Sequence, residues 1–121
     1  MSELKRYQMY IDGEWTDAEN GATFTSVNPA TGETWAEVPE ASESDVNRAV
    51  EAAHRAFKEG PWSKLTPTAR GKMLRRLADV LATQSETLGR CETIDTGKLF
   101  KETRWQANYI SDFFHYYAGL A

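Results

Sequence analysis

At Ser42 the hydrophobic period of the chain changes, and few architectures accommodate what lies on either side of it. Before that point apolar residues alternate with polar ones in short runs broken by turn-forming pairs. After it they recur every three or four residues over long stretches. A period of two suits a strand with one buried face, and a period near 3.6 suits an amphipathic helix. Short strands followed by helices predict an α/β chain with a hairpin region over 1–41 and a helical region over 42–121.

Turn chemistry supports the first half. Tyr7, Met9, Ile11 and Trp15 frame Asp12-Gly13, a pair favoured where both turn residues need positive φ. Thr23 to Val27 reads as a second strand, ended by Asn28-Pro29, because Pro29 disfavours a helical Asn28. Thr31-Gly32 turns the chain into Thr34 to Val38, and Pro39 closes that segment. Hairpins alone are marginal in water, so these need something to pack on.

The helical half is punctuated as clearly. Ser42 can cap a helix whose stripe is Val46, Ala49, Val50, Ala53, Ala56 and Phe57, with Asp45 near its positive end. The spacing predicts that the Val46, Val50, Ala53 and Phe57 face is buried, and Gly60-Pro61 ends the helix. Thr66 caps a second helix with Pro67 at its first position, where a missing N–H costs nothing. Its stripe runs Ala69, Met73, Leu74, Leu77, Val80 and Leu81. A third helix should cover Ser85 to Thr96 and stop at Gly97. The last segment, Leu99 to Ala121, carries Trp105, Tyr109, Phe113, Tyr116 and Leu120 on one stripe. Ile110, Phe114 and Tyr117 fall on another, so the helix needs cover on more than one side. The other elements can cover about one.

Composition excludes several functions. With 121 residues the chain suits one domain. The formal net charge of −4 argues against a nucleic-acid surface, and Arg70, Lys72, Arg75 and Arg76 read as the solvated face of a helix. The one cysteine, Cys91, excludes an internal disulfide and a cysteine-built zinc site. No run approaches a membrane span, and no signal peptide is evident, so a cytoplasmic protein is expected. The eight glycines form no phosphate-binding loop, and His54 and His115 fall on different helices. Cys91 lies between Arg90 and Glu92, whose charges act on a thiolate in opposite senses. It reads as a half-buried small apolar residue. No catalytic and no cofactor-binding residue emerges.

Several segments in order nevertheless resemble one family. They are Tyr10-Ile11-Asp12-Gly13-Glu14-Trp15, Val27-Asn28-Pro29-Ala30-Thr31-Gly32-Glu33, Asp45-Val46 to Ala56-Phe57, and Gly60-Pro61-Trp62. Arg70-Gly71 with Leu74-Arg75-Arg76-Leu77-Ala78-Asp79, Glu92-Thr93-Ile94-Asp95-Thr96-Gly97-Lys98, and Tyr116-Tyr117-Ala118-Gly119 complete the set. Over almost its whole length the chain resembles the N-terminal part of the aldehyde dehydrogenase superfamily. The resemblance implies a partial domain, truncated before the catalytic domain, that flanks a Rossmann-type NAD(P)-binding sheet with short hairpins and about four helices. It implies a complete enzyme that oxidises an aldehyde to a carboxylic acid through a cysteine thioester, using NAD or NADP. Its nucleophile, its general base and its cofactor loop match nothing here, and Arg90-Cys91-Glu92 does not match the nucleophile motif. The chain alone is therefore expected to bind no cofactor and to be inactive.

Two further expectations come with the resemblance. Some members hold a structural monovalent cation at positions that fall on Ser26, Val27 and Asp95. The aromatic C-terminal helix is expected to meet the remainder of an aldehyde dehydrogenase or another subunit, with no nucleic acid and no membrane as partner. A different class remains open beside these: a small free-standing helical protein that binds or regulates a partner through that helix.

Overall fold

A computed structural model describes residues 4–121. Contacts divide the chain into two compact units, the first ending at Ser63 and the second running Lys64–Ala121. Among the described residues no helix is long and apolar enough to cross a membrane.

The first unit contains β1 (Lys5–Arg6), β2 (Met9–Ile11), β3 (Glu14–Thr16), β4 (Thr23–Val27), β5 (Thr34–Pro39) and α1 (Glu43–Glu59). β2 and β3 pair antiparallel about Asp12-Gly13, whose φ values of 54° and 86° are those the tight turn demands. β4 and β5 form the second antiparallel pair. Between them the Asn28 side chain accepts from the Ala30 amide at 2.9 Å and its carbonyl accepts from Gly32 at 2.8 Å. Gly32 takes φ 72°. β1, which the sequence pattern does not separate out, lies parallel to β5 and makes the sheet order β1-β5-β4. Two residues with no alternating pattern carry too little periodicity to show a strand. Ala36 is fully buried on this sheet, and the Trp35 indole donates to Ser26 Oγ at 3.0 Å.

The loop after β3 is tied to α1 by one carboxylate. Asp45 is 1% exposed. Its Oδ2 accepts from the Ser42 amide (2.9 Å), the Ser42 hydroxyl (2.8 Å) and the Glu19 amide (3.1 Å), while Arg48 reaches Oδ1 at 2.9 Å. The Asp45 amide donates back to Ser42 Oγ at 3.2 Å, completing a capping box. These hydrogen bonds, the Ser42 amide first and Glu19 next, hold the Asp45 carboxyl below its ordinary range against the opposing effect of burial.

The second unit is three helices: α2 (Pro67–Thr83), α3 (Ser85–Thr96) and α4 (Phe100–Ala118), preceded by a 3-10 turn at Pro61–Lys64 that spans the boundary. Thr66 caps α2 through its hydroxyl, which accepts from the Ala69 amide at 3.2 Å, and Pro67 takes the first position. Gly97 ends α3 at φ 76°. Gly97→Ala should cost about 1 kcal/mol in denaturant unfolding, because an added Cβ disfavours the left-handed region.

Small residues make the helix contacts. α4 packs on α2 and α3, and its buried positions are Thr103, Ala107, Ser111 and Ala118. A Cβ on Gly89 of α3 would lie 2.7 Å from both the Arg104 N and Cα, and one on Gly71 of α2 would lie 2.5 Å from the Ala118 carbonyl oxygen. The backbones meet at distances only glycine permits. Beside Gly89, the Thr103 hydroxyl sits 2.9 Å from the Gly89 carbonyl, 3.1 Å from that of Phe100 and 2.8 Å from the Thr93 hydroxyl. Its single proton serves one carbonyl at a time, while its oxygen can accept from Thr93.

Candidate docking surfaces

The predicted burial of Val46, Val50, Ala53 and Phe57 is overturned. α1 buries Asp45 and Ala52, with Ala49 half-buried, and leaves that stripe exposed, Val50 at 61% and Phe57 at 72%. Lys58 Nζ lies 5.6 Å from the Phe57 ring centre and covers little of it. The α2 stripe divides. Leu74 and Leu81 are half-buried beside Gly71 and Ala78, but Met73, Leu77 and Val80 are exposed. Periodicity shows which face of a helix needs an apolar partner. It does not show that the partner lies within the same chain.

On α4 the expectation of cover on one side takes a different form. The packed face is the small-residue stripe, which Phe114 joins as a half-buried neighbour. Both aromatic stripes otherwise face outward: Trp105, Tyr109, Ile110, Phe113, Tyr116, Tyr117 and Leu120 are all exposed. These side chains hold one another in place. Trp105 stacks on Tyr109 at 4.9 Å and 11°, Tyr109 meets Phe113 edge-on at 5.1 Å, and Tyr116 meets Tyr117 edge-on at 5.2 Å. Between the rings lies an open cleft lined by Tyr109, Asp112, Phe113, Tyr116 and Tyr117. Large apolar surface of this kind is uncommon on a soluble monomer.

The titratable residues raised by the sequence are dispersed. His54 is exposed on α1, and His115 on α4 sits 3.4 Å from Asp79 Oδ1 of α2. Cys91 is half-buried in the middle of α3. Ser26 and Val27 end β4 in the first unit, and the ladder shifts register between them. Asp95 lies in the last turn of α3 in the second unit.

The aldehyde dehydrogenase family model matches residues 15–121. This chain belongs to that family. It is 48% identical over 118 residues to (Z)-2-((N-methylformamido)methylene)-5-hydroxybutyrolactone dehydrogenase of Acinetobacter baylyi, spanning 98% of this chain and 24% of the relative. It is 41% identical to aldehyde dehydrogenase 1 of Tanacetum cinerariifolium, again over 98% of this chain and 24% of the relative. The structure superposes on an NAD-dependent aldehyde dehydrogenase from Sinorhizobium meliloti with a TM-score of 0.91 and 36% identity, over 97% of this chain and 24% of that one. Betaine aldehyde dehydrogenase of Staphylococcus aureus, solved with NAD+, gives 0.88 and 42% over 93% of this chain and 22% of its own. The chain thus spans about a quarter of the length of the relatives it matches, and its strands and four helices are those of the N-terminal portion of aldehyde dehydrogenase structures.

Asp45, Gly71 and Gly89 are structural centres that the hydrophobic pattern does not mark. Signals were present. Ser42-x-x-Asp45 has capping-box spacing, and glycine inside a helical pattern is costly unless a neighbour must come close.

Proposed function

We propose that this chain forms the N-terminal support of an NAD(P)-dependent aldehyde dehydrogenase, and that the exposed faces of α1 and α4 are covered by the rest of such an enzyme. One observation supports this reading above the others. Among the described residues the buried side chains are Ala, Thr, Ser, Pro39 and Asp45, while most of the large apolar side chains are exposed. In the complete enzyme a cysteine thiolate adds to the aldehyde carbon and a hydride leaves that carbon for NAD(P). Water then hydrolyses the thioester to the carboxylic acid. This chain's share is packing and orientation, in the cytoplasm. The same reading assigns the Ser26 and Val27 carbonyls and the Asp95 carboxylate to a structural monovalent cation.

The 121-residue chain alone should form no NADH or NADPH from an aldehyde. Mixed with the separately expressed remainder of the Acinetobacter baylyi relative, it should give turnover. Phe57→Lys and Tyr117→Lys should each weaken that reconstitution without altering the helical content of the chain. Replacing potassium by tetramethylammonium should lower the melting temperature of the reconstituted protein, and Asp95→Ala should remove the difference. Turnover by the chain alone that Cys91→Ala abolishes would overturn the reading. So would reconstitution indifferent to both lysine substitutions.

A further inference from the structure

A second cleft in the Lys64–Ala121 unit has a different chemistry from the aromatic one. It lies where the start of α3 meets the first half of α4 and is lined by Ser85, Phe100, Lys101, Arg104, Trp105 and Asn108. The nearby carboxylate, Glu86, is occupied: Arg90 donates to its Oε1 from Nη2 at 2.8 Å and from Nε at 3.2 Å. Arg90 also lies 4.6 Å over the Phe100 ring, which pins both groups at the rim. Arg104 acts on Glu86 through its field, without a hydrogen bond. Among the described residues neither Lys101 nor Arg104 forms an ion pair. The cleft therefore sets two cations that form no ion pair beside an indole that is 59% exposed. Ser85 and Asn108 add hydrogen-bonding groups at its walls.

We propose that this cleft binds an aromatic carboxylate, the ring against Trp105 and the carboxylate on Lys101 and Arg104. A guanidinium pairs with a carboxylate through two parallel hydrogen bonds, and an ammonium adds a third donor. The indole offers a flat apolar surface that a ring can cover by offset stacking. Neither part suffices alone. An apolar ring leaves the cations hydrated and unmatched, and a small anion leaves the indole uncovered. The cleft shares Trp105 with the aromatic row of α4, where the other side of the indole is stacked on Tyr109, so a bound ligand and a partner on that row compete for the indole. The test uses the chain alone and does not depend on turnover.

The test is a calorimetric titration of the 121-residue chain with 1-naphthoate, at a protein concentration where sedimentation shows monomer. Naphthalene-1-methanol supplies the ring without the charge, and acetate the charge without the ring. Naphthoate should bind saturably with a Kd of about 1 mM, ordinary for a ligand of its size. The alcohol and acetate should each bind at least about tenfold more weakly, because each forfeits one of the two contacts. Lys101→Gln with Arg104→Gln should bring naphthoate down to the level of the alcohol, and Trp105→Ala should bring it down to the level of acetate. All three side chains are exposed, so the variants should keep the circular dichroism of the parent. Absence of saturable naphthoate binding would overturn the proposal. Equal binding of naphthoate and the alcohol, or double-variant binding equal to that of the parent, would overturn it as well.

Discussion

Gly89→Ala should destabilise the Lys64–Ala121 unit by about 2 kcal/mol or more, although alanine is the better helix former. In an exposed helix this exchange gains about 1 kcal/mol from chain entropy and propensity. Here the new methyl would stand 2.7 Å from two backbone atoms of Arg104. A flexible side chain could turn aside, but a helix backbone cannot. α3 and α4 must separate, and overpacking of this kind costs about 1–3 kcal/mol, sometimes more. Separation also lengthens the bond from the Thr103 hydroxyl to the Gly89 carbonyl, and Thr103 is fully buried. Its hydroxyl would then lose part of its pairing without gaining water. Denaturant unfolding followed by circular dichroism measures the loss. Thr87→Ala, two residues away on the exposed side, should change stability by less than about 0.5 kcal/mol. If Gly89→Ala is neutral or stabilising, the close contact does not govern the packing.

Asp45→Asn should loosen the first unit more than any other single polar substitution in it. The replacement keeps the shape but puts an amide where the Ser42 amide, the Glu19 amide and Arg48 all need an acceptor. Amide hydrogen exchange at Glu19 and Ser42 should rise sharply, because one carboxylate protects both positions. The same group gives an acid limb of stability. The folded carboxyl titrates below its ordinary value of 3.8, so the folded state binds fewer protons there than the unfolded chain. Its contribution is fully present above that value and disappears as pH falls through the lower, folded one. In Asp45→Asn this part of the acid dependence should be missing. Glu86 also titrates low, through Arg90, but it belongs to the second unit. Exchange resolved by residue therefore separates the two. Unchanged exchange at Glu19 would mean that the loop is held by other contacts.

Element boundaries were legible because each rests on local chemistry. Asp12-Gly13, Asn28-Pro29, Ser42, Thr66-Pro67 and Gly97 restrict the backbone within a few residues of themselves, and each does in the structure what its residue type demands. The family was legible for a related reason, since those turn and cap residues recur in order. Burial was less legible. Val50 and Phe57 are spaced as a core face and lie in the open, while Gly71, Gly89 and Thr103 show no amphipathic signal and form the close helix–helix contacts. A hydrophobic pattern records which face of an element is apolar and not what covers it. The spacing of Ser26, Val27 and Asp95 carries no local signal either, since they lie on a strand of one unit and a helix of the other.

The small-residue seam of α4 has a consequence for any partner. Shape and hydrogen bonds at Gly71, Gly89, Thr103 and Ala118 hold the helix, so its bulky side chains are not spent on fastening it. Trp105, Tyr109 and Phe113 are already stacked against one another before anything arrives. A partner meeting that row would find the rings restricted in rotamer and the helix fully wound. Less freedom would then be lost on contact, and more of the gross attraction would appear as affinity. Loosening the seam should therefore weaken association even when every aromatic side chain is kept.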